Sequence, residues 1–185
     1  MSLEETLDHL VLDKHVQVEQ LPDLDLYMDQ VIQLFELTFK DLKRDEKEKI
    51  MTKTMINNYA KGALLFPSKN KRYSKEHVMI ISLIYEMKGA LSLKDIKHTL
   101  QKSEVTENED KEAIRKLYKS YLALGEKNTE RTKESMKVQL KEMEELMESK
   151  DNDPYVQHVL LILSFVHQSN LYRKAAEKLI DELPE

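Results

Sequence analysis

Asn57 and Asn58 are adjacent amides in a stretch that also holds Thr52, Lys53, Thr54 and Lys61. An asparagine side chain carries a donor and an acceptor together, so it can bond N6 and N7 of adenine at once. Lysine and arginine beside it can neutralise phosphates, which fixes register without reading sequence. A second set, Lys69, Lys71, Arg72 and Tyr73, follows within one short polar segment. Met51 to Lys75 contains no aspartate or glutamate, and Lys49 to Lys75 contains 7 bases. These residue types suit anion binding, with nucleic-acid phosphate the commonest partner.

The window stands out because the whole chain is acidic. Its 185 residues include 34 acids and 29 bases, for a net charge of −5. Lys40 to Lys102 holds 15 bases and 7 acids, and the remainder holds 14 bases and 27 acids. A charged window is often only a solvated face. A basic island within an acidic chain points more to a bound anion.

Several chemistries are excluded. No cysteine is present, so there are no disulfides, thiolate metal sites or thiol nucleophile. The 6 histidines show no metal-ligand spacing, and no H-E-x-x-H, Walker loop or nucleophile elbow occurs. With 3 glycines a phosphate-cradling loop is hardly available. No enzyme activity, cofactor or metal is expected. The first residues, MSLEETLDHL, lack the apolar core of a signal peptide. The longest apolar run, Val159 to Leu163, is far short of the roughly 20 residues that cross a bilayer. No membrane segment and a cytoplasmic location are expected.

Helix formers dominate and turn residues are scarce, so the fold class is mainly α. Leu3, Leu7 and Leu10 suit a short helix in an N-terminal extension over 1–20. Asp25 suits the cap of a helix placing Tyr27, Val31, Leu34, Phe35 and Thr38 on one face. Thr52 and Gly62 suit the N-cap and C′ residue of a short helix. Its faces divide into Met55, Ile56, Tyr59 and Ala60 against Lys53, Thr54, Asn57, Asn58 and Lys61. Ala63 to Pro67 reads as a short extended piece, and Ser68 to Tyr73 as a basic hairpin or loop. Ser74 caps the next helix, which ends near Gly89, and Ser92 with Asp95 starts another. That order is the layout of a winged helix-turn-helix. Helix 52–61 would lie in a major groove, and wing 68–73 would lie on phosphates. Tyr73 would pack at the wing base or donate its hydroxyl to a phosphate.

The residues from Ile56 to Lys97 also resemble the DNA-binding segment of MerR-type regulators. The likeness lies in Tyr59, Leu64-Leu65-Phe66-Pro67, Lys71-Arg72-Tyr73 and Leu91-Ser92-Leu93-Lys94-Asp95-Ile96. With Leu21 to Val31 upstream, the segment is more similar still to bacterial domain-of-unknown-function family 1836, taken to consist of MerR-like regulators. The likeness covers about residues 20 to 102. It implies an N-terminal MerR-like winged helix-turn-helix over 21–102 and sequence-specific binding of double-stranded DNA. MerR recognition helices usually carry Arg at the place of Asn57 and Tyr at that of Asn58. Their wings carry Gly where Asn70 or Lys71 stands.

A polar linker is expected over 103–110, then an all-α dimerisation or effector domain over 111–185. Four helices are expected there, the first stopping at Gly125 and the last spanning Leu171 to Leu183. The run Val156 to Val166 is apolar most of the way round and should lie in a core. Met136, Leu140, Met143 and Met147 read as core more than as a coiled-coil seam. A homodimer is expected, since a helix-turn-helix reads a two-fold operator as a pair. Tyr118, Tyr121, Tyr155, His158 and His167 are the candidates for a small-molecule effector site, though such residues are more often core. The competing function is a helical protein-interaction adaptor whose basic island docks an acidic partner. A structured-RNA binder is a weaker third, for want of aromatic platforms.

Overall fold

The computed structural model describes residues 2–12, 14–101, 110–147 and 153–184. The elements are α1 (Leu3–Asp8), β1 (Leu26–Tyr27), α2 (Met28–Phe39), α3 (Lys53–Lys61), β2 (Arg72–Tyr73), α4 (Lys75–Met87), α5 (Leu93–Gln101), α6 (Lys111–Leu146) and α7 (Pro154–Asp181). Among the described residues, one sheet of two antiparallel strands interrupts a mainly α chain, with Leu26 opposite Tyr73 and Tyr27 opposite Arg72. The chain forms two compact units, Lys14–Ala123 with Leu179–Glu185, and Met1–Asp13 with Leu124–Lys178.

The larger unit is built around α4, whose residues from Glu76 to Ile84 are all buried. Val31, Phe35 and Phe39 of α2 pack in this core, and Phe39 lies against Tyr85 with ring centroids 4.6 Å apart. From α3 it takes Ile56 and Tyr59, and from the start of α6 it takes Ile114 and Tyr118. The Tyr118 hydroxyl donates to the Val16 carbonyl at 2.6 Å, and burial pushes its pKa up to about 12. The expected 103–110 linker falls outside the described residues except Asp110. The boundary by contact falls near Ala123, inside α6, so Lys111 to Ala123 belong with the N-terminal core.

One buried charge lies at the junction of these elements. Glu76 is 2% exposed. Its Oε1 accepts from Nε and Nη2 of Arg115 at 2.8 and 2.6 Å, and its Oε2 accepts from the Ser74 hydroxyl at 2.8 Å. Desolvation works to raise its pKa, but these bonds outweigh it and hold the carboxyl below the usual 4.5. The bridge fastens the base of the hairpin and α4 to α6.

Several expectations are corrected. Helix α2 starts at Met28 with Tyr27 as its N-cap, and Asp25 is not the cap. Tyr27 lies outside the core at 52% exposure, because it belongs to the strand pair. Ala60 is exposed. Ala63 to Pro67 is not a strand, although Leu64, Leu65 and Phe66 are buried. Gly62 is the C-cap of α3 with φ −74°, and the left-handed C′ residue is Ala63 at φ 53°. Leu64 N–H bonds the Tyr59 carbonyl at 2.9 Å and Ala63 N–H bonds that of Ala60 at 3.1 Å. That is a Schellman motif built on alanine. Thr52 and Ser92 cap as expected, accepting from Met55 N–H and Asp95 N–H.

The smaller unit packs Leu7 of α1 with Leu140 and Met143 of α6 and Leu161 of α7, flanked by Met136 and Met147. The methionine stripe is therefore core. Two long helices replace the expected four: α6 has 36 residues and α7 has 28. Gly125 does not end α6, since one interior glycine costs only about 1 kcal/mol among many good helix formers. Leu171 continues α7. The run from Val156 to Val166 is not central. Only Leu161 is buried, and Leu160, Ile162, Leu163 and Val166 are exposed.

The Glu76 bridge sets a pH-dependent stability. Arg115→Ala should cost about 2–3 kcal/mol near neutral pH, less than a wholly buried pair because Arg115 is partly solvated. A depressed carboxyl pKa stabilises above its unfolded value and stops doing so as pH falls through the folded value. Urea unfolding should show wild type and variant converging below pH 4.5. A constant gap across that range would mean that the loss does not come from the ionised Glu76 carboxylate.

Candidate nucleic-acid interface

Helix α3 presents Lys53, Asn57 and Lys61 at intervals of four residues, hence along one stripe. Thr54 and Asn58 lie beside it. All five are exposed. Ile56 and Tyr59 on the opposite face are buried and seat the helix on the core. The Asn57 and Asn58 amides have no hydrogen-bond partner among the described residues. Thr52 is half-buried, and its hydroxyl is engaged as the cap.

The wing sequence makes a tight hairpin. Asn70 and Lys71 both have positive φ, 53° and 58°. Arg72 N–H returns to the Lys69 carbonyl at 3.0 Å, and Lys69 and Arg72 form a β-bridge. Two consecutive left-handed residues define a type I′ turn, which ordinarily carries Asn-Gly. Here the second place is lysine, in a conformation that costs an L-residue about 1–2 kcal/mol. Lys69 and Lys71 are exposed, and they and Lys61 form no ion pair among the described residues.

Arg72 is held at its root. Its Nη2 donates to the Tyr27 hydroxyl at 2.9 Å, and its guanidinium lies 4.9 Å from that ring's centroid. Two residues further on, Asp29 accepts from Lys53 Nζ at 2.8 Å. The junction of β1 and α2 thus touches both the start of the α3 stripe and the hairpin arginine. Arg72 and Lys69 also line a small hollow with Lys111 and Asp25.

At Tyr73 the first of the two expected roles is found, and two other features differ from the sequence reading. Tyr73 is 7% exposed. Its ring meets His77 edge-on with centroids 5.6 Å apart, so it packs and leaves the accessible set. The window without acids in sequence is not without them in space: Asp29 meets Lys53, and Asp23 meets Lys75 at 2.6 Å. Tyr27 and Lys111 join the surface unforeseen. Helical spacing alone puts Tyr27 on the apolar face of α2, and Lys111 lies distant in sequence. A strand-forming Leu26-Tyr27 flanked by three aspartates, ahead of a basic hairpin, was the signal for both strand and counter-charge.

The effector candidates divide between the two units, with Tyr155, His158 and His167 in the smaller one. Tyr118 and Tyr121 belong to the larger unit's core, while Tyr155 is 74% exposed. A cavity of about 630 Å³ lies between α6 and α7 within the smaller unit, lined by Arg131, Met136, Gln139, Phe165 and Tyr172 among others. None of the five candidates lines it. Among the described residues no group of three His, Asp or Glu could hold a metal ion, and no helix is long and apolar enough to cross a membrane.

The turn strain yields a stability test. Lys71→Gly relieves the left-handed lysine and should stabilise the fold by about 0.5–1 kcal/mol, read from the urea midpoint. A lower midpoint would contradict the type I′ geometry.

No curated protein and no solved structure matches the chain. A family model described as "Domain of unknown function (DUF1836)" matches residues 16–121. That span nearly coincides with the larger unit, from Lys14 to Ala123. The part of the chain that the family model matches is thus the part that carries the basic surface, and the chain belongs to the DUF1836 family.

Proposed function

We propose that this protein is a sequence-specific regulator that binds double-stranded DNA through a MerR-like winged helix-turn-helix. The observation that carries the reading is a lysine-tipped type I′ hairpin and the exposed Lys53–Asn57–Lys61 stripe, both supported on the junction of β1 and α2. A major groove admits one α-helix, and α3 is short, exposed on one side and capped at both ends. Asn57 and Asn58 face base edges. Lys53, Lys61, Lys69, Lys71 and Arg72 contact phosphates, and Thr54 lies at the groove edge. Strain tolerated at Lys71 supports a functional cation at the wing tip, because glycine would fold better there.

The protein acts as a homodimer in this reading. Helix α7 exposes Val156, Leu160, Leu163 and Val166 in the single chain, and a second copy covers that face. Leu160→Glu with Leu163→Glu should halve the mass seen in sedimentation while far-UV dichroism stays native. A variant of unchanged mass would remove α7 from the interface.

The direct test is a salt titration of DNA binding. Lys71→Ala with Arg72→Ala should weaken binding to every duplex and flatten the log–log salt dependence by about 2, roughly 0.9 per lost phosphate contact. Asn57→Ala or Asn58→Ala should instead relax preference at particular bases, by about 1–3 kcal/mol for a bidentate contact. An unchanged salt slope in the double variant would show that the hairpin does not touch DNA. A second reading draws on the carboxylates already seated on Lys53 and Lys75: an adaptor that docks an acidic protein. Retention of a protein partner after nuclease treatment, with no DNA enriched, would favour it.

A further inference from the structure

The chain carries its own competitor for the basic surface. Asp23, Asp25 and Asp29 lie within one exposed stretch just before and at the start of α2. The strand pair draws that stretch alongside the hairpin, with Leu26 opposite Tyr73 and Tyr27 opposite Arg72. Two of these aspartates pair with lysines of the acid-free window, and the third lies beside the hairpin. Asp29 Oδ1 lies 2.8 Å from Lys53 Nζ, and Asp23 Oδ1 lies 2.6 Å from Lys75 Nζ. Asp25 lines the hollow shared by Lys69, Arg72 and Lys111.

These contacts do little for the fold. The side chains of Lys53 and Asp29 are 63% and 73% exposed, and that of Asp23 is 97% exposed. Exposed pairs of this kind add little stability. Their main effect is on the potential that an incoming polyanion meets. A phosphate must displace a carboxylate to reach Lys53. The freed carboxylate then takes up a cation from solution, which offsets part of the counterion release that drives binding.

We infer that Asp23, Asp25 and Asp29 act as an intramolecular phosphate mimic that lowers affinity for duplex of arbitrary sequence. The inference rests on the DNA-binding reading above. Specific sites, where Asn57 and Asn58 add base contacts, overcome the competition, and random duplex does not. The carboxylates therefore raise the ratio of specific to non-specific binding, which decides occupancy in a genome.

The test uses the full chain with Asp23→Asn, Asp25→Asn and Asp29→Asn together, and Asp29→Asn alone as a variant at an exposed site. Fluorescence anisotropy with random-sequence duplex is followed from about 50 to 200 mM salt. The triple variant should bind roughly fivefold or more tightly at the low end, with a steeper salt dependence. The single variant should shift the same way by less. Equal or weaker binding by both variants, with wild type binding measurably, overturns the mimic and leaves the DNA reading standing. No binding by any of the three proteins at low salt overturns both.

Discussion

A buried carboxylate organises the larger unit. Glu76, at the first turn of α4, has almost no contact with solvent, and an unpaired charge there would be strongly unfavourable. It is matched by Arg115 from α6 and by Ser74 from the hairpin base. The charge can therefore be buried only when the hairpin exit and the adjoining start of α4 meet Arg115, 39 residues further along the chain. The hairpin's exit, the central helix and the start of α6 are fastened at one point. Tyr73, packed against His77, completes that root. A hairpin of a few residues is too small to hold its own shape, and this anchorage gives it a fixed direction.

Above the root the chain accepts strain. Ala63, Asn70 and Lys71 all take left-handed backbone, where glycine is usual, although Gly62 is next to the first of them. At Ala63 the Schellman bonds explain the conformation, and the side chain remains exposed. At Lys71 the turn geometry demands positive φ, while the side chain places a cation at the tip. The two positions show how one backbone state can serve a helix end in one place and the presentation of charge in another. The surface this produces is mixed: an amide and lysine stripe, a lysine-tipped hairpin, and aspartates seated on part of it.

Much of this is legible in sequence. Thr52 and Ser92 announce helix starts through side-chain capping, a local effect. Ile56 and Tyr59 against Lys53, Asn57 and Lys61 reveal the orientation of α3 by period alone. What is not legible depends on partners distant in the chain. Tyr27 looks like a core residue by spacing until β1 pairs with β2 and turns it toward Arg72. Asp29 looks like a helix-start acid, and nothing local says that it meets Lys53. Gly125 looks like a stop, but its cost is small beside the propensity of its flanks. The apolar run in α7 looks like core, because spacing measures apolarity and not whether another element packs over it.

The central claim is that one cationic surface, formed by α3 and the hairpin, reads duplex DNA. Selection of bound fragments from random duplex by the full-length protein tests it most directly. The account predicts enrichment of a recurring sequence arranged as two inverted half-sites. A recovered pool no different from the input would contradict it.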